Sequence, residues 1–139
     1  MSEQYVTFLI DGELYGVPAH DVREVLRSQP LTRVPLAPEG VAGLVSVRGE
    51  VVLAIDPRHR LDLPPADADR IPMMVVVHVA GESVSLLVDE IGDVVAVTPE
   101  QYVATPESLG TELRRVLPGT YTLADGLMLV LAVDEAVAA

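Results

Sequence analysis

Histidine, aspartate and glutamate are the residue types of this chain that could bind a metal or transfer a proton. The histidines are His20, His59 and His78, and no two stand at a spacing such as H-x-H or H-E-x-x-H, which would bring ligands to one point. We therefore expect surface or hydrogen-bonded histidines, with no metal and no cofactor.

One group of carboxylates lies close together in the stretch VDEIGDV. Asp89, Glu90 and Asp93 could form an acid/base pair or a cation site, but we favour a strand that ends in a solvated acidic rim, which needs no chemistry. Ser46 lacks the G-x-S-x-G context of an activated serine. The motifs predict no enzyme, and a small β-barrel enzyme acting through carboxylates such as Glu24 or Asp89 is the alternative from another class.

The charge and the amino-acid composition of the chain exclude several classes of partner and site. The 139 residues carry a net charge of −12, all nine basic residues are arginines, and there is no cysteine. Such a chain repels nucleic acid and anionic lipid, and it excludes disulfides and thiolate metal sites. The longest apolar run, Leu127 to Val133, is too short for a membrane span, and MSEQYVTFL does not resemble a signal peptide. We expect one domain in the cytoplasm.

Four hairpins are predicted, each reversing near a glycine between runs rich in Val, Leu, Ile, Tyr and Thr. They are YVTFLI–DG–ELYGV, GLVSV–RGE–VVLAI, MMVVVHV–AGE–SVSLLV and TYTL–ADG–LMLVLAV. Proline-rich connectors separate the members of each pair, and the segment from Leu61 to Pro72 separates the two pairs. This order suggests two similar small β-barrels in tandem. A short helix is expected between His20 and Leu26, and one helical turn in the tail DEAVAA.

Arg48 tops an otherwise apolar strand pair, and it is the only basic residue between Arg33 and Arg58. The turn needs the glycine at position 49, but it does not need an arginine. An exposed arginine can serve solubility alone, and it can equally bind a carboxylate of this chain or of a partner. The residues by themselves leave both explanations open.

Three segments resemble the CheW-like adaptor domain of bacterial chemosensory systems. They are FLIDGELYGVPAHDVREVL, LTRVPLAPEGVAGLVSVRGEVVLAIDPR and VSLLVDEIGDVV. They are similar to the family's opening, to its T-R-(I/L)-P, N-L-R-G and D-L-R segment, and to its V-D-x-V-x-D-V segment. The resemblance runs from about Tyr5 to Val133, nearly the whole chain.

The resemblance implies an all-β fold of two tandem SH3-like five-stranded β-barrel subdomains, with short helices in the connectors. The expected extent is one CheW-like domain over residues 1–139. Its first subdomain covers about 1–66 and its second about 67–139, with approximate boundaries and with strands allowed to cross between them. A stand-alone adaptor is implied, because the chain shows neither a receiver nor a kinase segment.

The resemblance also implies a non-catalytic scaffold that couples methyl-accepting chemoreceptors to a CheA-type histidine kinase. Such a scaffold binds the receptor's cytoplasmic tip in a groove between the barrels, and it binds the kinase's regulatory domain through barrel contacts. We expect no nucleic-acid partner and no direct membrane insertion. A cytoplasmic location with recruitment to membrane-associated receptor arrays is expected instead.

Five residues match positions of the family's binding surface. Val22 and Glu24 come from the V-x-E motif, Arg48 from the R-G turn, Val94 from the D-V pair, and Gly43 opens the most diagnostic segment. The resemblance implies that the valines supply apolar surface and that the charged residues fix the register of a receptor helix.

The chain departs from the family pattern next to these residues. Ser46 and Val47 stand where the family usually has Asn-Leu, and Pro57 stands where it usually has Leu. These departures suggest an alternative, a divergent CheW-like module of a specialised, non-flagellar pathway that keeps only one of the two partners.

Overall fold

The computed structural model describes residues 2–137. Over that range the chain forms eleven strands, three short α-helices and three single 3-10 turns. The strands are β1 (Glu3–Ile10), β2 (Glu13–Pro18), β3 (Val22–Arg27), β4 (Val41–Val47), β5 (Glu50–Ile55), β6 (Met73–Val79), β7 (Glu82–Val88), β8 (Glu90–Val97), β9 (Tyr102–Ala104), β10 (Gly119–Leu123) and β11 (Gly126–Val130). The helices are α1 (Pro57–Arg60), α2 (Thr111–Val116) and α3 (Val133–Ala136).

The strands form two sheets, with the orders β8-β1-β2-β11-β10-β9 and β3-β6-β7-β5-β4. The predicted all-β fold of two subdomains is confirmed. The first sheet has six strands rather than five, because the short β9 pairs with β10 from Gly119↔Ala104 to Tyr121↔Tyr102.

The division into sheets does not follow the order of the chain. The six-stranded sheet takes β1 and β2 from the start of the chain and β8 to β11 from its end, whereas the five-stranded sheet is built from residues 22–88. Both sheets therefore contain strands from either side of residue 66. The subdomain boundary near that residue stays a prediction, and the strands do cross it.

The four predicted hairpins are confirmed by the pairings of β1 with β2, β4 with β5, β6 with β7, and β10 with β11. Three of them turn on two residues that both have positive φ, which gives a twist that matches the flanking strands. The second turn residue is a glycine, which adopts a positive φ at no steric cost. The first residue adopts the left-handed conformation despite its Cβ. These turns are Asp11-Gly12, Arg48-Gly49 and Ala80-Gly81.

Apolar side chains form one core between the sheets and a smaller core within each of them. The largest cluster joins residues of the six-stranded sheet, such as Phe8, to residues of the five-stranded sheet, such as Leu86. Met74 belongs to a separate cluster within the five-stranded sheet, and Met128 to one within the six-stranded sheet. Each subdomain thus has its own core, and the shared core holds the two together.

The prediction of a short helix between His20 and Leu26 was wrong. Only Ala19–Asp21 forms a 3-10 turn, and β3 begins at Val22. Pairing with the buried strand β6 determines the conformation here, because β-branched side chains pack well on a half-buried sheet.

The end of the chain agrees in part with the sequence pattern. The helical turn expected in DEAVAA overlaps α3, while Ala138 and Ala139 lie outside the described residues. Among residues 2–137, no helix combines the length and the apolar character needed to cross a membrane.

Candidate functional site

Arg48 and Glu24 form an ion pair that connects the two edges of the five-stranded sheet. The Nε of Arg48 donates to Oε1 of Glu24 at 2.9 Å and to Oε2 at 3.1 Å. Glu24 lies on the edge strand β3, and Arg48 lies in the turn between β5 and the opposite edge strand β4. Two of the predicted site residues, 24 positions apart in the chain, are therefore in direct contact.

The two partners of this pair differ in exposure. The Glu24 side chain is 14% exposed and the Arg48 side chain is 72% exposed. Within residues 2–137, Arg48 uses only its Nε, so its terminal nitrogens make no hydrogen bond there. A guanidinium donates from every nitrogen, so these groups can bind a second acceptor.

The backbone of Arg48 has a conformation that is strained for a residue with a Cβ. Its φ is 49°, in the left-handed region that costs a residue with a Cβ roughly 1–2 kcal/mol. Asn, Asp or Gly is the usual choice at this position of a two-residue hairpin turn. Asp11 and Ala80 have the same conformation in equivalent turns, so it is the terminal nitrogens of Arg48, unbonded within residues 2–137, that favour a contact role.

Val22 and Val94 lie on different sheets, and both occupy the sheet faces that border the shared core. Val22 pairs with Val77, and Val94 pairs with Val6 on the neighbouring strand. Val77 and Val6 belong to the cluster between the sheets, and directly paired residues project from the same face. Val22 packs partly against that cluster, whereas Val94 is 58% exposed on the edge strand β8.

Gly43 is buried, and the backbone of Thr32 fills the space where its side chain would be. A Cβ built on Gly43 would lie 2.5 Å from the carbonyl oxygen of Thr32. Thr32 and Leu44 exchange backbone hydrogen bonds of 2.8 Å at this point. We therefore infer that Gly43 lets the segment around Thr32 pack against β4, and that it does not contact a partner directly.

β-Bulges lie beside the predicted residues. The pairing shifts between Val22 and Glu24 on β3, between Val41 and Gly43 on β4, and opposite Val6 and Phe8 on β8, next to Val94. Bulges re-aim side chains and are common beside functional sites. The residues predicted from the family resemblance therefore lie at or next to local irregularities of the sheets.

Comparison with protein-family models matches residues 4–139 to the CheW-like domain. The chain belongs to the CheW-like family. Family membership makes this CheW-like chain a non-enzymatic scaffold or adaptor of the chemotaxis type.

Individual relatives agree with this assignment. The chain is 33% identical over 112 residues to a probable chemotaxis protein CheW of Rhizobium etli, covering 81% of this chain and 72% of the relative. It is 24% identical over 135 residues to the chemotaxis protein CheW of Klebsiella aerogenes, covering 97% and 81%. The crystal structure of the scaffolding protein TtCheW from Thermoanaerobacter tengcongensis matches the fold with a TM-score of 0.84, at 23% identity over 95% of this chain and 90% of that one.

In this CheW-like chain Asp89 and Asp93, two of the carboxylates considered for an acid/base pair, take part in hydrogen bonds that hold the fold together. Asp89 is 8% exposed, and its carboxylate accepts a 2.6 Å hydrogen bond from Arg58. Asp93 bonds to Thr7 through its backbone carbonyl rather than its carboxylate. Among residues 2–137, no group of three or more His, Asp or Glu side chains is arranged to hold a metal ion.

The clefts of the CheW-like fold lie beside the predicted residues. One of about 350 Å³ lies between the sheets, where Pro18 and Val130 face His78 and Val79. Another, of about 700 Å³, is lined by one face of the six-stranded sheet and the β10–β11 turn. None of the five predicted residues lines either cleft, so the candidate site lies outside both of them.

Two charged neighbours of the predicted pair were missed. Arg23 Nη1 donates to Oε2 of Glu50 at 2.8 Å, parallel to the contact between Arg48 and Glu24. Neither a helix nor a regular strand brings Arg23 and Glu24 to the same side, whereas the bulge in β3 does. No local sequence signal marks this pair, because it depends on the bulge at Arg23 and on the approach of the two edges of the five-stranded sheet.

Proposed function

We propose that this chain couples methyl-accepting chemoreceptors to a CheA-type histidine kinase in a bacterial chemosensory array. The ion pair of Glu24 and Arg48 carries the proposal. The resemblance assigns both residues to the family's receptor-contacting positions, and Arg48 keeps unbonded donors on an exposed turn among residues 2–137. The proposed location is the cytoplasmic side of membrane-associated receptor arrays.

The proposed receptor site is the surface where the shared core reaches solvent. Val22 and Val94 come from the two sheets and lie on faces that border this core. An amphipathic helix of the receptor's cytoplasmic tip would place its apolar face there, as helix-in-groove recognition does. Glu24 and Arg48 would fix its register, because an arginine with free terminal nitrogens binds an acceptor in a defined orientation.

The proposed kinase contact uses the outer surface of the five-stranded barrel. Val51 is 70% exposed and Leu53 is 36% exposed, and their side chains project from the same face of β5. Leu44, directly paired with Leu53, adds to this strip. An apolar strip on a chain of net charge −12 is suited to a second barrel surface, such as the kinase's regulatory domain.

Calorimetric titration tests both contacts separately. The chain is titrated with the purified regulatory domain of a CheA-type kinase from the same genome, and with a soluble receptor-tip hairpin. Arg48→Met should weaken receptor-tip binding about tenfold or more, as loss of an interface arginine does. Val51→Glu should weaken binding of the kinase domain and leave receptor-tip binding unchanged.

Arg27→Met is the matched control. Arg27 is exposed on the same strand as Glu24 and forms no ion pair among residues 2–137. Binding of the kinase domain alone would identify the divergent module that keeps one partner. Absence of binding to either probe, from every kinase and receptor of the genome, would refute the proposed coupling.

A further inference from the structure

A second ion pair crosses the same gap as that of Glu24 and Arg48, with its charges reversed. β3 provides the carboxylate of Glu24 and the guanidinium of Arg23, and the β4–β5 hairpin provides Arg48 in its turn and Glu50 at the start of β5. Arg23 Nη1 lies 2.8 Å from Oε2 of Glu50, and the Arg48 Nε lies 2.9 Å from Oε1 of Glu24. Arg23 Nη1 also donates to the Ser83 hydroxyl at 3.2 Å.

The bulge in β3 explains how both pairs form. Val22 is paired with Val77, and Glu24 with Val76, so Arg23 is the additional residue that has no partner on β6. Consecutive residues of a regular strand project from opposite faces, whereas a bulge brings two of them to the same side. Accordingly the Arg23 Nε lies 3.6 Å from Oε2 of Glu24.

The charges along this gap alternate in the order Arg48, Glu24, Arg23, Glu50. Glu24 is 14% exposed and lies between two guanidiniums, whereas Arg48 is 72% exposed and has Glu24 as its only ion-pair partner within residues 2–137. A single exposed ion pair is screened by water and leaves its side chains free to move, while a network fixes their geometry. Arg23 thus restrains the carboxylate that in turn restrains Arg48.

We propose that Arg23 is a positioning residue for the receptor site, with Glu50 as its support. Arg23 holds the Glu24 carboxylate, and through its bond to Glu50 it also holds the turn that carries Arg48. The terminal nitrogens of Arg48 are thereby kept facing an acceptor group of the partner. This inference depends on the proposed function, because it assigns a role within the same site.

The first test measures binding of the receptor-tip hairpin. Arg23→Met should weaken binding about two- to fivefold, which is the effect of a partly screened ion pair. Glu50→Gln should also weaken binding. Arg27→Met, on the same strand, should leave the affinity unchanged. In an Arg48→Met background, both substitutions should lose their effect, since residues that act through one another are not additive.

The second test needs no partner. The arginine Nε–H signals are followed in a proton–nitrogen spectrum of the free protein, where the Arg48 signal is assigned by its loss in Arg48→Met. Arg23→Met should accelerate solvent exchange of the Arg48 Nε–H, because the carboxylate that binds it becomes mobile. A residue that serves only the stability of the barrel would leave this exchange unchanged.

The outcomes separate this inference from the function it depends on. If Arg48→Met weakens binding while Arg23→Met and Glu50→Gln do not, the positioning role is refuted and the receptor site stands. If the effects of Arg23→Met and Arg48→Met add, Arg23 contacts the partner itself, which also overturns the inference. If Arg48→Met has no effect on binding, the receptor site fails and the positioning role fails with it.

Discussion

Asp89 and Arg58 form a buried ion pair where the chain passes from one sheet to the other. Asp89 is the single residue between β7 and β8, and its Oδ2 accepts a 2.6 Å hydrogen bond from Nη2 of Arg58. The same oxygen accepts the backbone N–H of Asp11 at 2.8 Å, and Nη1 of Arg58 donates to the Pro64 carbonyl at 2.7 Å. One carboxylate thus joins the crossover to the β1–β2 turn and, through Arg58, to the connector that follows α1.

Replacing this carboxylate should destabilise the fold. Asp89→Asn should lower the free energy of unfolding by about 1.5–3 kcal/mol, because the buried Arg58 would lose its nearest counter-ion and keep only the Asp11 carboxylate at 3.9 Å. Urea denaturation measures the change. Asp93→Asn is the control, since Asp93 uses only its carbonyl in the bond to Thr7, and it should change stability by less than about 0.5 kcal/mol. Equal stability of the two variants would contradict a structural role for Asp89.

Substitution of Arg48 should separate stability from binding. Arg48→Gly should change the free energy of unfolding by no more than about 1 kcal/mol, since relief of the left-handed backbone offsets loss of an exposed ion pair. Receptor-tip binding, measured by calorimetry, should fall. Ala80→Gly makes the same backbone change in an equivalent turn with φ 51°, and it should leave binding intact. Arg48 would be a structural residue if Arg48→Gly unfolded the protein.

Gly43 and Gly49 should differ in their response to alanine. Gly43→Ala should be the more damaging, because its Cβ would overlap the Thr32 carbonyl oxygen, whereas a Cβ on Gly49 meets nothing within 4 Å. We expect Gly49→Ala to cost about 1–2 kcal/mol, from backbone strain alone. Thermal and urea unfolding of the two variants give the comparison. A smaller loss for Gly43→Ala would mean that the segment around Thr32 moves aside freely.

Val94→Asp should weaken receptor-tip binding without unfolding the protein. Val94 is 58% exposed, so the free protein tolerates the charge, but a partner that covers the position would have to remove it from water. Leu127→Asp is a matched control, because Leu127 is equally exposed on the same sheet. Calorimetric titration with the receptor-tip hairpin compares them. Unchanged affinity for Val94→Asp would remove Val94 from the proposed site.

Stability should decrease in alkali because of Tyr5. Burial raises the pKa of the Tyr5 hydroxyl well above its usual value, so the folded protein favours the protonated form. The unfolded chain releases this proton near pH 10, and above that pH the stability contributed by neutral Tyr5 is lost. Tyr5→Phe should show a smaller decline in unfolding free energy between about pH 8 and 11. Identical declines in both proteins would assign the effect to another group.

The hairpins could be predicted from sequence because their determinants are local. A glycine at the second turn position, flanked by β-branched residues, is sufficient to place Gly12, Gly49 and Gly81. The strand β3 was missed because its conformation depends on β6, about 50 residues further along the chain. Pro18 and the charged residues after it are as compatible with a helix start as with the observed turn and strand.

The contacts of the site were only partly predictable. The resemblance selected Glu24 and Arg48, but their pairing depends on how the edges of the five-stranded sheet approach each other. That approach depends on the parallel pairing of β5 with β7 and on the bulge at Arg23, and neither has a local sequence signal. The same reasoning applies to Asp89 and Arg58, which are 31 positions apart.

The interleaved order of the strands determines when each sheet can be completed during synthesis on a ribosome. The five-stranded sheet is contiguous over residues 22–88, so it can form while the rest of the chain is being made. β2 must wait for β11, with which it pairs at Tyr15↔Leu129 and Val130↔Gly16. A chain that stops before residue 126 therefore leaves an edge of β2 unpaired, and unpaired strand edges promote aggregation.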